Sequence, residues 1–188
     1  MKVEVLVLGP LDTNTYILSK DRKCIIIDPA DDAEKIISFC SKYEVEEIIV
    51  THHHFDHIGA LEKLEKYYNI KHNTFLRKTF SYDIIKTPGH TDDSISIFFS
   101  EQNLLFSGDL IFYHSIGRYD FPNSNYEDLI KSLEKISKLP LDTTIFPGHG
   151  EKTSLNEEIK YFDLLEMLDF DNNYHSFAFT SLKLIFFY

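Results

Sequence analysis

The chain has few cysteines, few cations and no long apolar stretch, and each shortage excludes a class of protein. Cys24 and Cys40 are its two cysteines, and they lie in separate apolar segments without CxxC spacing. A disulfide framework is therefore not indicated, and we expect two buried thiols in a cytoplasmic protein. No apolar run approaches the length of a membrane span, so we expect no membrane partner.

Positive charge is scarce as well. The 188 residues include 19 Lys and Arg against 30 Asp and Glu, which gives a formal net charge of −11. Binding to a nucleic-acid backbone needs clustered cations, so we expect no nucleic-acid partner. The first residues alternate apolar and charged side chains before Gly9-Pro10, which predicts a strand and a turn rather than a signal peptide.

The apolar content predicts a folded chain, because 43% of the residues are hydrophobic and 14% are aromatic. The length favours one domain over 1–188, with an apolar tail at 171–188 whose role is left open. Period-two patterns predict strands at 3–8, 15–18, 24–27, 47–50, 81–86, 94–99, 103–106 and 143–146. Helical patterns cover 33–40, 61–68, 126–139 and 157–168. This order predicts an α/β (α+β) protein in which helices cover two sheets.

Nine histidines are present, and several cluster after the strand at 47–50. His52 and His54 are two residues apart, so extended backbone points both side chains to one side. Asp56 and His57 follow where the chain turns into the next helix. Imidazole and carboxylate are ligands that a borderline cation such as zinc prefers, so this cluster predicts a metal site.

Three further candidate ligands each follow a predicted strand and sit in a glycine-containing turn. They are His90 in Pro-Gly-His-Thr, Asp109 in Ser-Gly-Asp and His149 in Pro-Gly-His-Gly. We expect five histidines and two aspartates to converge at one end of the sheets. The other histidines are interpreted as structural or solvated, with His53 turned away from the ligand side; these are His53, His72, His114 and His175.

The ordered motifs resemble the metallo-β-lactamase fold superfamily. The matching residues are the motif Thr51-His-His-His-Phe-Asp-His57, the stretches 106–112 and 115–118, and Phe146-Pro-Gly-His-Gly150. Within that superfamily the chain is most similar to the glyoxalase II-like, or hydroxyacylglutathione hydrolase-like, metallo-hydrolases. The similarity covers roughly residues 3 to 168 and implies an αββα sandwich of two mixed β-sheets flanked by helices.

The resemblance also implies a ligand set, carried over motif by motif. His52, His54 and His90 would bind one metal, Asp56, His57 and His149 the other, and Asp109 would bridge both. Asp28 resembles an acid that orients a ligand histidine, and a simple turn-forming Asp-Pro remains an alternative. Arg118 is a candidate for binding a substrate carboxylate, with an ordinary surface arginine as the alternative.

The implied chemistry is hydrolysis of a small thioester or ester, S-lactoylglutathione among the candidates. The expected cofactors are two zinc (Zn) ions, with iron (Fe) or manganese (Mn) as alternatives. A metal-bound hydroxide would attack the carbonyl, and Asp56 and Asp109 would position it as metal ligands. The tyrosine with which relatives contact glutathione does not follow His149, where the sequence continues Gly-Glu-Lys. Glutathione binding is therefore left open.

Two other functions remain as alternatives. A mononuclear iron persulfide dioxygenase would bind iron through His52, His90 and Asp109. A non-catalytic metal-binding module is the second. The complete set of seven ligands favours the dinuclear hydrolase. The expected partner is a small-molecule substrate, and the sequence leaves the oligomeric state open.

Overall fold

The computed structural model describes the backbone of residues 1–169 and the side chains of residues 1–162. In that part the strands are β1 Lys2–Leu8, β2 Thr13–Lys20, β3 Lys23–Ile27, β4 Glu44–Ile49, β5 Asp83–Lys86, β6 Ile95–Phe99, β7 Leu104–Gly108, β8 Ile111–Phe112, β9 Ser115–Ile116, β10 Thr144–Pro147 and β11 Thr153–Ser154. The helices are α1 Ala33–Cys40, α2 Leu61–Tyr68, α3 Tyr126–Ile136 and α4 Leu155–Asp169. The tail at 171–188 lies outside the described residues, so the single-domain expectation for 1–188 stays a prediction.

Two mixed sheets form the centre of the fold. The first has the order β1-β2-β3-β4 and the second β11-β10-β7-β6-β5. Each contains one parallel pair, β3 with β4 and β7 with β10, among antiparallel pairs. Strands β8 and β9 form a small separate hairpin. This arrangement confirms the two mixed sheets of the predicted sandwich.

Alternating side chains on β3 show why the first sheet is covered on both faces. Cys24 and Ile26 are buried in a cluster with α1 and α2, which includes Ile36 and Leu64. Ile25 and Ile27 point the other way, into a cluster shared with β6 and β7. Since successive strand residues face opposite sides, an all-apolar strand requires a layer on each face.

The second sheet is covered in the same way on its outer face. Leu105 and Ile145 of β7 and β10 pack against Leu129 and Leu133 of α3. Asn125 begins α3 as its N-cap, because its side-chain oxygen accepts a hydrogen bond from a backbone N–H of the first turn. The order helix, sheet, sheet, helix is therefore present, as the resemblance implied. None of the described helices has the length and apolar character of a membrane span.

The structure corrects several predicted boundaries. Helices α1 and α2 have the predicted bounds, but α3 ends at Ile136 rather than at 139. The last residues before Pro140 leave the helix because a following proline disfavours helical backbone. Helix α4 begins at Leu155 rather than at 157. The two-residue strands β8, β9 and β11 were not predicted, since they are too short to show a period.

Two buried acids of β4 anchor the irregular segment that leads from α2 to β5. Glu47 accepts hydrogen bonds from the backbone N–H groups of Leu76 and Arg77, both at 2.9 Å. It also accepts one from the Tyr82 hydroxyl at 2.6 Å. Its neighbour Glu46 accepts hydrogen bonds from the backbone N–H and the hydroxyl of Thr79, further along the segment. A stretch without regular pairing is thus fixed by side-chain acceptors.

Candidate metal centre

The predicted ligands meet at one edge of the sandwich, where strands of both sheets end. The motif with His52 and His57 follows β4 of the first sheet. His90, Asp109 and His149 follow β5, β7 and β10 of the second sheet. The sequence order of strand, turn and ligand therefore places all of them around one space, as predicted.

Three imidazoles form the first group. The His52 Nε2 atom lies 3.1 Å from His54 Nδ1, and His90 Nε2 lies 2.9 Å from the same atom. All three nitrogens lie within 4.8 Å of one another. His52 and His90 are buried, whereas His54 is half-buried and lines an open cleft. This group has the donor atoms and the mutual distances that one divalent cation requires.

Asp56, His57 and His149 form the second group, again within 4.8 Å of one another. The His149 Nε2 atom lies 3.2 Å from Asp56 Oδ2, and His57 Nε2 lies 3.5 Å from it. The structure therefore brings together the residues for a second cation. Together the two groups contain six of the seven predicted ligands.

Asp109 lies between the two groups. Its Oδ1 atom is 3.3 Å from His57 Nε2 in the second group. Its Oδ2 atom is 3.5 Å from His90 Nε2 in the first group. One carboxylate thus reaches both sets of ligands, which is the position that a bridging ligand needs.

The buried atoms at the centre fit a cation. His57 Nε2 and Asp109 Oδ1 are fully buried and have no hydrogen-bond partner among the described residues. Buried polar atoms without partners are costly, and their presence calls for an ion or a water. A nitrogen lone pair and a carboxylate oxygen facing each other match the donor chemistry of zinc or iron.

Asp28 fixes the orientation of the His57 ring. Its Oδ2 atom accepts a hydrogen bond from His57 Nδ1 at 2.9 Å and from Thr51 Oγ1 at 2.7 Å. The Thr51 backbone N–H donates to Oδ1 at 2.7 Å. Because the Nδ1 proton is used by Asp28, the Nε2 lone pair points into the centre.

Backbone carbonyl groups orient two other rings in the same way. His90 Nδ1 donates to the carbonyl oxygen of Arg118 at 2.7 Å. His149 Nδ1 donates to the carbonyl oxygen of Leu11 at 3.0 Å. In both rings Nε2 is thereby directed at the other candidate ligand atoms.

The charges in the centre favour a cation. Burial lowers the pKa of His52 to about 3, so this ring is neutral at pH 7. Burial also opposes a charge on His57, but Asp28 and Asp109 outweigh it and raise its pKa to about 11, so a cation that binds Nε2 would displace a proton from it. Although Asp109 is buried, contacts with His149 and His57 hold its pKa well below the usual range. Ionised carboxylates therefore attract positive charge into the space between the rings.

Two polar residues at the start of β2 also build the site, and the sequence analysis missed them. Thr13 Oγ1 donates to Asp56 Oδ2 at 2.8 Å. Asn14 Nδ2 donates to the carbonyl oxygens of Pro147 and Gly150, and so fixes the turn that carries His149. The one feature of the sequence that could have indicated their role is the polar run Thr13-Asn14-Thr15, which stands in a strand where apolar residues were expected.

Gly148 permits the close approach of the second group. A Cβ atom at this position would lie 2.1 Å from Asp109 Oδ1 and 2.7 Å from His57 Cε1. No side chain fits within such distances. The glycine of the Pro-Gly-His-Gly turn is therefore required by the space that the ligands occupy.

The centre opens into a cleft of about 1060 Å³. Its walls carry apolar side chains, among them Leu11, Phe112 and Phe121, and Phe55 at its edge is 70% exposed. Arg118 also lines this cleft, and its guanidinium donates two hydrogen bonds to the Asp120 carboxylate, at 2.9 and 3.0 Å. The cleft can therefore take an apolar group beside the metal ligands.

The histidines not assigned to metals lie elsewhere. His53 points away from the centre, as predicted, and contacts Asp93 and His72. His114 bonds to Glu157 on α4. His72 is paired with Glu65 as well as with His53. His175 lies outside the described residues.

Comparison with known proteins decides the family. Residues 8–75 and 72–149 match the profile described as metallo-beta-lactamase superfamily. The chain belongs to this superfamily. A similar protein is the "Probable metallo-hydrolase YqgX" of Bacillus subtilis, 29% identical over 84% of this chain and 94% of its own length. The "Hydroxyacylglutathione hydrolase GloC" of Haemophilus influenzae is 27% identical over 84% of this chain and 95% of its own length.

Solved structures of the superfamily show the same fold. The BLEG-1 B3 metallo-beta-lactamase superposes with a TM-score of 0.80 at 28% identity, covering 87% of this chain and 99% of its own. TTHA1623 in a di-iron-bound form gives a TM-score of 0.77 at 27% identity, covering 84% and 98%. ETHE1 from Myxococcus xanthus gives 0.76 at 27% identity, covering 84% and 81%. Superfamily membership and the fold are thereby established, and similar proteins carry metallo-hydrolase names.

Proposed function

We propose that this protein is a dinuclear-metal hydrolase that cleaves a small thioester or ester. The observation that carries the proposal is the position of Asp109 between two complete ligand groups. The first group is His52, His54 and His90, and the second is Asp56, His57 and His149. The hydrolase names of similar proteins support the reaction class.

Two divalent cations in these groups would polarise a carbonyl and make a water molecule nucleophilic at neutral pH. The protein contributes the geometry. Asp109 supplies carboxylate oxygens between the two groups, and Asp56 supplies one in the second group, where Thr13 holds it in place. Asp28 fixes the tautomer of His57. Asp56 and Asp109 act as ligands rather than as free general bases, because neighbouring histidines keep both carboxylates ionised.

The cleft favours a substrate with an apolar acyl or thiol portion. Phe55, Phe112 and Phe121 present aromatic surface next to the ligand groups. Arg118 is the one Lys or Arg side chain among the described residues that line this cleft, and we propose that it binds an anionic end of the substrate. S-lactoylglutathione is a candidate on these grounds, as are smaller acyl thioesters. The free, buried state of Cys24 and Cys40 is consistent with the proposed cytoplasmic location.

A mononuclear iron dioxygenase is the second candidate, because Asp109 Oδ2 lies 4.0 Å from His52 Nε2 and 3.5 Å from His90 Nε2, which gives two histidines and one carboxylate around one space. Such an enzyme would need His52, His90 and Asp109 alone. It leaves the assembly of Asp56 with His149 unexplained, and this assembly favours the dinuclear hydrolase.

The test combines metal analysis with turnover. Protein purified without chelator is analysed for zinc, iron and manganese and then assayed with a panel of thioesters and esters that includes S-lactoylglutathione. We expect two metal ions per chain and release of thiol, and we expect His54→Ala to lose the ion of the first group together with the turnover. His114→Ala is the matched control, because His114 bonds to Glu157 outside the centre.

Other outcomes would assign the other functions. One iron per chain with oxygen consumption on a persulfide would support the dioxygenase. Tight metal binding without turnover of any ester or thioester would support a binding module. Absence of bound metal, with turnover unchanged in His54→Ala, would exclude metal catalysis altogether.

A further inference from the structure

Two histidines outside the metal centre are in contact with each other at the surface of the protein. The Nε2 atoms of His53 and His72 lie 3.3 Å apart. His53 is in the motif after β4, but its side chain points to the opposite side from His52 and His54. His72 belongs to the segment that follows α2. No part of the proposed hydrolase uses either ring.

A carboxylate contacts the Nδ1 atom of each ring, on the side away from the other histidine. The Nδ1 atom of His53 lies 2.5 Å from Asp93 Oδ2. The Nδ1 atom of His72 lies 2.7 Å from Glu65 Oε1. A carboxylate accepts only, so the proton of each neutral imidazole lies on Nδ1. With both rings neutral, two Nε2 lone pairs would face each other at 3.3 Å, and a cation between them would remove their repulsion.

Further contacts hold the carboxylates in place. Glu65 also accepts hydrogen bonds from the His72 backbone N–H at 2.9 Å and from Lys71 Nζ at 2.8 Å. Asp93 accepts one from Thr91 Oγ1 at 2.7 Å. The rings are thus fixed before any ligand arrives. Carboxylate, histidine and metal in this order is the usual arrangement around a metal-bound imidazole.

We propose that His53 and His72 bind a third divalent cation of the zinc, nickel or copper type, separate from the dinuclear centre. Tetrahedral coordination with Zn–N bonds of about 2.0–2.1 Å places two ligand nitrogens about 3.3–3.4 Å apart, and the observed separation is 3.3 Å. The side chains are 48% and 29% exposed, so water can complete the coordination. Imidazole nitrogen selects these ions over magnesium or calcium.

Equilibrium dialysis against zinc tests the proposal through the number of ions bound. The wild type is compared with His72→Gln and with His114→Gln, which removes a half-buried histidine elsewhere. We expect His72→Gln to bind one ion fewer than the wild type and His114→Gln to bind the same number. Glu65→Gln keeps both imidazoles and should weaken the same ion by about 10–100-fold.

Nitrogen NMR of the wild-type histidines supplies the second readout. We expect zinc to shift the Nε2 resonances of His53 and His72 together, after the centre is filled. The competing occupant is a proton shared by the two rings. An Nε2 of His72 that stays protonated at saturating zinc would overturn the proposal. Equal stoichiometry in the wild type and His72→Gln would overturn it as well, whatever the centre binds.

Discussion

The Asp28 carboxylate accepts a hydrogen bond from His57 Nδ1 at 2.9 Å. The Asp28 side chain is itself buried, with 2% of its surface exposed. Asp28 has a φ of 51°, in the left-handed region that few residues other than glycine adopt. This backbone turn directs the carboxylate at His57 and Thr51 together. The two readings left open by the sequence, a turn-forming Asp-Pro and an acid that orients a histidine, are therefore both present in one residue.

Asp28→Asn should weaken metal binding without unfolding the protein. An amide has one acceptor where the carboxylate has two, so its NH₂ group would face a donor, either Thr51 or His57. We expect an affinity for the second ion lower by about 10–100-fold. Competition with a chromophoric chelator measures this. Asp31→Asn, an exposed acid of the same turn, is the control, and an equal loss there would contradict the role of Asp28.

Gly148→Ala should remove the second ion while the fold persists. The φ of Gly148 lies outside the left-handed region, so alanine is permitted by the backbone, but its Cβ would collide with Asp109 and His57. We expect the metal content to fall to one ion or none, with an unchanged circular dichroism spectrum. Gly150→Asn tests the specificity, since a Cβ at Gly150 meets open space and asparagine tolerates its φ of 73°. A full metal content in Gly148→Ala would contradict the packing argument.

Arg118→Ala should raise KM for thioesters with a carboxylate and leave neutral thioesters unaffected. Only the side chain is removed, and the backbone carbonyl that orients His90 remains. The exposed guanidinium is shared with Asp120, so we expect a modest change, of about 1 kcal/mol or less, on substrate binding. Steady-state kinetics with a matched anionic and neutral pair measures it. Equal effects on both substrates would show that Arg118 is structural.

Chelation of the metals should lower the melting temperature. At a free-ion concentration of about 100 times its Kd, each ion adds about 2.7 kcal/mol to the stability. For a chain of this size that corresponds to about 5–11 °C per ion. Scanning calorimetry with chelator measures the decrease, and zinc should restore the original value. Recovery with magnesium alone would contradict the nitrogen-rich ligand set.

Glu46 should stabilise the fold less as the pH falls. Burial disfavours its charge, but Lys23 and Thr79 outweigh burial and hold its pKa below the usual range. A lowered pKa in the folded state contributes stability that is present above about pH 4.3 and is lost below it. We therefore expect the difference in free energy of unfolding between wild type and Glu46→Gln to shrink from about pH 5 to about pH 3.

Urea titration of metal-free protein at both pH values measures this difference. Glu44→Gln, an exposed acid of the same strand, is the control and should show a small, pH-independent effect. A difference that grows towards acid pH would contradict the sign of the prediction.

The sequence predicted what is encoded by local pattern. Helix α1 was predicted with its observed bounds because an apolar stripe follows Asp32, whose side chain caps the first turn. The ligands were found because each follows a strand within a short motif. In contrast, the hairpin β8–β9 has two residues in each strand and shows no period.

Long-range polar contacts could not be predicted in this way. Thr13 and Asp56 are 43 residues apart, and Asn14 lies 133 residues from Pro147. Neither threonine nor asparagine identifies its partner by type alone. His53 and His72 were interpreted as structural or solvated because no shared motif connects them, and only the fold places their rings together.

The ligands come from both sheets, and this division has a consequence for the life of the protein in a cell. His57 follows the first sheet, whereas Asp109 and His149 follow the second. Ions bound between them would link the two sheets, and only the folded sandwich brings the complete set of ligands together. A chain made when metal is scarce would therefore open along this seam and reach proteases more often. Under the proposed ligation, metal supply governs how long each molecule survives as well as whether it is active.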